Sequence, residues 1–214
     1  MASKLLTASY AVMQRITPCD VAYVYQLDTA VVEPAPLPAD VPDFRFLTAE
    51  ELARFNEEPA NDLNGPTVEQ VRSGEARCWG AIEDGRLASY ACFAAGDIAP
   101  EHNRGSGQLN GIGLRLTHNA RYLFKAFVVP SFRGRSLMRH LITSVAREYH
   151  KQGIESLVTT TSITNDAFHF SALKGGFVVV GRTFEVRLMG RHRYHFPSQP
   201  HATVKLYAGS EQPP

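Results

Sequence analysis

Excess charge of either sign is missing from this 214-residue sequence: 22 Lys and Arg stand against 21 Asp and Glu, a formal net charge of +1. Without a net field, attraction of the whole molecule to nucleic acid or to an anionic membrane is excluded, and any anion site has to be local. Cysteine is scarce, at three widely spaced positions (Cys19, Cys78, Cys92). That usage excludes a disulfide framework and fits a reducing compartment, so the three read as buried thiols and the protein as cytoplasmic. No run approaches the roughly 18 apolar residues of a membrane-spanning helix, and the N-terminal MASKLLTASYAVMQ lacks the apolar core of an export signal. Zinc chemistry is missing as well: His192, His195 and His201 lie among arginines with no nearby acid or cysteine, so no metal is expected.

What is present is a globular composition, 44% apolar and 20% charged, enough for a sizeable core and too weakly charged for a disordered chain. The length suits one domain, 1–214, with a core over 19–188 and extensions at 1–18 and 197–214. Alternation of Val21, Tyr23 and Tyr25 predicts a strand over 19–28, and the prolines at 34, 36, 38 and 42 then predict an extended connector. Thr48 before Glu50 and Glu51 predicts a capped helix over 49–57, and Pro66 opens a second short helix ending by Gly74. Asp84-Gly85 between β-rich runs predicts a hairpin of 76–82 and 87–95. Five glycines and Pro100 make 96–117 read as one long pliable loop. Beyond it the order is strand 122–129, helix 137–150, strand 154–161, helix 164–174 and strand 177–188.

The chemically informative stretch is Phe127-Val128-Val129-Pro130-Ser131-Phe132-Arg133-Gly134-Arg135-Ser136-Leu137-Met138, a strand, a proline stop, a basic turn and an immediate helix. A turn that opens a helix directs unpaired N–H groups and the positive end of the helix dipole at an anion. Arg133 and Arg135 add charge, and Gly134 lets the backbone approach a phosphate closely. Leu137, Leu141 and Val145, with Met138, Ile142 and Tyr149, supply the apolar stripe that anchors the helix behind the turn. Gly105-Ser106-Gly107 is not a hydrolase elbow, which needs Gly-x-Ser-x-Gly between a strand and a helix.

With the strand after this helix, then Asn165, and then Lys174-Gly175-Gly176-Phe177 before another strand, the chain resembles the GNAT acyltransferase superfamily over roughly residues 19–188. The resemblance implies an α/β (α+β) fold with a mixed central sheet, an antiparallel N-terminal meander and helices on both faces. It implies acetyl-CoA or another acyl-CoA as co-substrate, with the pyrophosphate on the amides of residues 133–138. The pantetheine arm would lie along Phe127, Val128 and Val129, with Asn165 heading the next helix, and the strand after the first helix would splay away to leave room. An amine of a small-molecule acceptor would attack the thioester directly.

The family turn, [RQ]-x-x-G-x-[GA], is matched only in part, since Ser136 and Met138 stand where small residues are usual. Ser136 is expected to cap the helix, and Met138 to pack beneath the turn or reshape the site. The tyrosine that often protonates the thiolate falls at Ala172, so His169, on the same helix face as Asn165, becomes a candidate acid. His118, near the glycine loop, and Glu83, at a strand end, are candidates for a base. Two alternatives keep the fold: an acyl-CoA-binding regulatory module without turnover, and a donor carried on acyl carrier protein, whose acidic surface would meet Arg133, Arg135 and Arg139. Acceptor identity, acyl chain length and a homodimer stay open at this stage.

Overall fold

A computed structural model describes residues 19–32, 41–100, 103, 111–188, 191–195 and 203–208. The expectations on 1–18, on Pro34, Pro36 and Pro38, on Gly105-Ser106-Gly107 and on His201 lie outside the described residues. The first strand, β1 (Cys19–Asp28), has the expected bounds. β2 (Phe44–Leu47) follows within a stretch that carried no expectation; Phe46 crosses Trp79 edge-on with ring centroids 4.8 Å apart, which explains its extended pairing. Thr48 then opens α1 (Ala49–Asn56) with a capping box, its hydroxyl accepting from the Glu51 amide while the Glu51 carboxylate accepts from the Thr48 amide. Asn64 caps α2 (Gly65–Arg72), with Pro66 in its first turn. The hairpin of β3 (Ala76–Glu83) and β4 (Arg86–Ala94) turns through Asp84 and Gly85, both at positive φ, as a two-residue turn requires.

The stretch 96–117 is not one pliable loop: it contains β5 (Asp97–Ile98) and β6 (Ile112–Leu116). They pair with each other, and β6 finds a second partner far along the chain: β11 (Val204–Ala208), in the segment expected as a C-terminal extension, completes a three-stranded sheet ordered β11-β6-β5. Ile98, Leu114, Leu116 and Val204 bury a satellite core against the main sheet. After β6 come β7 (Ala120–Val128), α3 (Leu137–Lys151), β8 (Ser156–Ser162), α4 (Asp166–Lys174), β9 (Val178–Leu188) and β10 (Arg191–His195).

The eight-stranded main sheet runs β10-β9-β1-β8-β7-β4-β3-β2, antiparallel at every step except the parallel pair β7–β8, which α3 connects. β1 therefore does not extend the N-terminal meander; it crosses the molecule and pairs with β8 on one edge and β9 on the other. On one face α3 and α4 bury Leu141, Val145, Tyr149 and Phe177 against Trp79, Phe93 and Leu123. On the other, α1 and α2 bury Leu52, Phe55 and Val68 over Cys78, Tyr90 and Cys92. All three cysteines are free and buried.

Candidate functional site

The sheet opens along one line. β7 and β8 register only at Ala120↔Ser156, Arg121↔Leu157 and Tyr122↔Val158, although β7 runs on to Val128 and β8 to Ser162. On its other edge β7 stays paired with β4 as far as Ser89↔Val128, with a bulge that passes from Phe93↔Leu123 to Cys92↔Lys125 and skips Phe124. A bulge bends its strand and leaves one residue outside the ladder, so β7 turns away from β8 where the parallel ladder stops. Thr159 fills the fork, donating from Oγ1 to the Leu123 carbonyl at 2.8 Å. Beside it the Tyr122 hydroxyl donates to Asn103 Oδ1 at 2.6 Å, and the Asn103 amide donates to the Ile112 carbonyl at 2.8 Å. That network ties Asn103 to the fork.

The basic turn lies at the open end. A short 3-10 turn at Pro130–Phe132 follows β7, then Arg133 is extended, Gly134 sits at φ +86° and Ser136 at φ +56° before α3 begins. Gly134 is a residue the backbone demands, and a Cβ there would meet nothing within 4 Å, so the space above the turn is open. Ser136 holds the position before the helix but makes no side-chain cap, contrary to expectation: side-chain caps need an extended backbone, and this one is left-handed. The first amides of α3 thus have no side-chain acceptor from their own cap. Leu137 is buried against Ala81 and Ala88, which fixes the start of the helix to the sheet.

Phe127, Val128, Arg133, Gly134, Ser136, Leu137, Met138 and Asn165 come together around one open groove of about 490 Å³, which Ala126, Ala167, Phe168 and Ser171 complete. Met138 is half-buried and packs on the core behind α3 while it lines the groove. Asn165 also caps α4, accepting from the Phe168 amide at 3.1 Å. The groove continues into a slot of about 190 Å³ between the parted strands, bounded by Leu123, Phe124, Lys125 and Ala126 on one side and Thr159, Thr160 and Thr161 on the other. Val129 is buried instead, its amide donating to the Ala88 carbonyl at 3.0 Å.

The remaining candidates separate. Arg133 lies along the strand end, its Nε donating to the Val128 carbonyl at 3.3 Å and its guanidinium 5.7 Å from the Phe127 ring. Arg135 turns to Glu83 in a two-pronged ion pair (2.6 and 3.1 Å), and its hydrogen bonds hold the Glu83 carboxyl below the usual carboxylate range. Glu83 is thereby committed to the turn and Arg135 to Glu83. His169 does not line the groove; its Nδ1 is 2.6 Å from the Tyr25 hydroxyl, within ring contact of Tyr23. Burial, with a smaller push from Tyr23, raises the Tyr25 hydroxyl to about 12, so it stays protonated. His118 is exposed in the turn before β7, roughly 30 Å along the strand from Val128. Lys125 and the threonines 159–161 carried no expectation. The readable signal was a single lysine in the otherwise apolar strand Tyr122-Leu-Phe-Lys-Ala-Phe-Val128.

The model of the Acetyltransferase (GNAT) family matches residues 43–171, more than half of the chain and starting just before β2. Among solved structures the chain is similar to an acetyltransferase of the GNAT family from Colwellia psychrerythraea, at 18% identity and TM-score 0.52, with 83% of this chain and 60% of that one covered. A Drosophila protein is similar at 16% identity and TM-score 0.51, over 87% of this chain and 57% of that one. This chain thus spans less than two thirds of the length of either, and at these identities the likeness is one of fold. No curated protein matches the chain.

Proposed function

This chain belongs to the acetyltransferase (GNAT) family, and from that premise we propose that it transfers an acyl group, acetyl in the first instance, from acyl-coenzyme A to an amine of a small acceptor. The observation that carries the reading is the groove that leads from the left-handed turn at the start of α3 into the slot between the parted strands β7 and β8. The turn offers amides and the helix dipole to a pyrophosphate. The slot offers strand edges left without a partner, which an amide-bearing arm satisfies as an added strand does. In this reading Arg133 supplies the accessible charge, while Arg135 braces the turn through Glu83.

At the fork the acceptor nitrogen attacks the thioester carbonyl, the C–N bond forms, the C–S bond breaks, and the proton lost by the amine balances the thiolate that leaves. A thiolate is a good leaving group, so the absence of a tyrosine at Ala172 does not block the step. Ala172 is itself buried in the core behind α4. Positioning and backbone stabilisation of the developing oxyanion carry most of the rate in such a site.

Titration calorimetry with acetyl-CoA and with free coenzyme A tests the donor site. Arg133→Glu is expected to weaken binding about tenfold or more, the loss of one charge-assisted contact, with the fold intact. Arg54→Glu, an exposed arginine outside the groove, should leave it unchanged. Equal affinity in wild type and Arg133→Glu would overturn the assignment.

A further inference from the structure

Lys125 is charged in a stretch, 123–129, whose other members are all apolar. It lines the slot between β7 and β8, and its side chain is 14% exposed, against 62% for its partner Asp62, whose Oδ2 lies 3.1 Å from Nζ. An ammonium drawn part-way out of water is favoured by an anion beside it. The anion it has is easily exchanged. Asp62 sits at φ 52° in the connection between α1 and α2, and its main-chain carbonyl accepts from both the Tyr90 hydroxyl, at 2.9 Å, and Lys125 Nζ. The loop is therefore held by its backbone, whereas the carboxylate that faces Lys125 is in solvent and can swing away without loosening the loop.

A second observation gives a way in. Phe124, the residue skipped by the bulge, lines both the slot and an adjoining cavity of about 230 Å³ bounded by Gln70, Glu75, Asp97 and Tyr122. Phe124 thus stands between that cavity and the slot, with Lys125 the next residue along β7. A simple monoamine offers Lys125 nothing and, as a cation, is repelled by it. A carboxylate next to the amine replaces Asp62 and keeps the half-buried charge paired. On the acyl-transfer reading above, we infer that the acceptor is amino-acid-like, bearing a carboxylate close to the nucleophilic amine, and that Lys125 is its specificity-determining residue. Lys125 binds and orients in this role; it takes no proton from the acceptor.

The test uses the full chain, acetyl-CoA as donor, and two matched acceptor sets: standard L-α-amino acids and the corresponding amino-acid amides, which lack the carboxylate. Wild type should acetylate at least one amino acid with kcat/KM about tenfold or more above its amide, as the loss of one charge-assisted contact dictates. Lys125→Gln should raise KM for that acid by a similar factor with a smaller change in kcat and abolish the preference over the amide. Lys125→Arg should restore it, and Asp62→Asn should lower KM by removing the competing carboxylate. Acetyl-CoA affinity, measured by calorimetry for each variant, separates the two readings. Donor binding without any carboxylate preference, or with a preference that survives Lys125→Gln, overturns the inference alone. A wild type that binds no acetyl-CoA overturns the acyl-transfer reading and the inference with it.

Discussion

The two ends of β7 are built on opposite plans. Near Ala120 to Tyr122 the strand is laddered to β8, Tyr122 is paired on both edges and locked to Asn103, and Leu157 of β8 is fully buried. From Phe124 to Val128 it is half-buried, no strand among the described residues lies beside one edge, and it ends in a turn with two residues in the left-handed region. Sheet pairing is the cheapest way to satisfy backbone groups away from water, so a strand that gives up half its partners needs something to hold it open. Here the bulge at Phe124 bends the strand, Thr159 occupies the fork, and Leu137 pins the helix beyond the turn. The closed end supplies rigidity and the open end the proposed site.

The largest expected effect comes from breaking the closed end. Leu157→Ala removes a side chain with no exposure and should cost about 3 kcal/mol of unfolding free energy, within the usual range for buried leucines. Equilibrium denaturation in urea reads this directly. If the loss also raised the dissociation constant for acetyl-CoA more than Arg133→Glu does, the two ends would not be the separable units described here. Next comes the turn: Gly134→Ala places a Cβ at φ +86° and should cost roughly 1–2 kcal/mol of backbone strain, with a loss of acetyl-CoA affinity because the amides move. Since the space there is open, an Ala variant of full stability and full affinity would show that the turn geometry does not matter.

Much of this contrast was legible in the sequence. Thr48, Pro66, Asp84-Gly85 and the stripe from Leu137 to Tyr149 act through neighbours within a few residues, and each element they define formed where periodicity and capping place it. The basic turn was legible for the same reason. What sequence could not carry was long-range pairing. β6 reads as loop because its partner β11 comes some ninety residues later, and the two-residue β5 has only β6 to pair with. β1 read correctly as a strand, yet nothing local tells that it lies between β8 and β9. The same limit applies to side chains: Arg135 looks like a phosphate ligand until Glu83, 52 positions away, takes it up. His169 shares a helix with Asn165, but Tyr25 of β1, 144 positions away, claims its Nδ1.

The fork itself gives a smaller effect. Thr159→Val keeps the shape but removes the donor to the Leu123 carbonyl, leaving a buried acceptor unpaired at about 1 kcal/mol. Because that oxygen lies at the mouth of the slot, the loss should appear in acetyl-CoA affinity as well as in stability. Equal affinity in the variant would confine Thr159 to a structural role at the closed end.

The smallest effect sharpens the comparison most. His118 is the natural suspect for a base from sequence, since it flanks the glycine-rich stretch, yet it is an exposed turn residue before the closed end, and its carbonyl merely accepts from Arg121 at 2.9 Å. The parallel ladder of β7 and β8 lies between it and the fork. A side chain of that length does not reach past three paired residues to a carbonyl on the far side. His118→Ala should therefore change stability by less than about 0.5 kcal/mol, as exposed substitutions usually do, and leave the pH profile of kcat/KM unmoved. If the substitution instead removed the acidic limb of that profile, acceptor chemistry would take place at the closed end, and the assignment of roles to the two ends of β7 would have to be reversed.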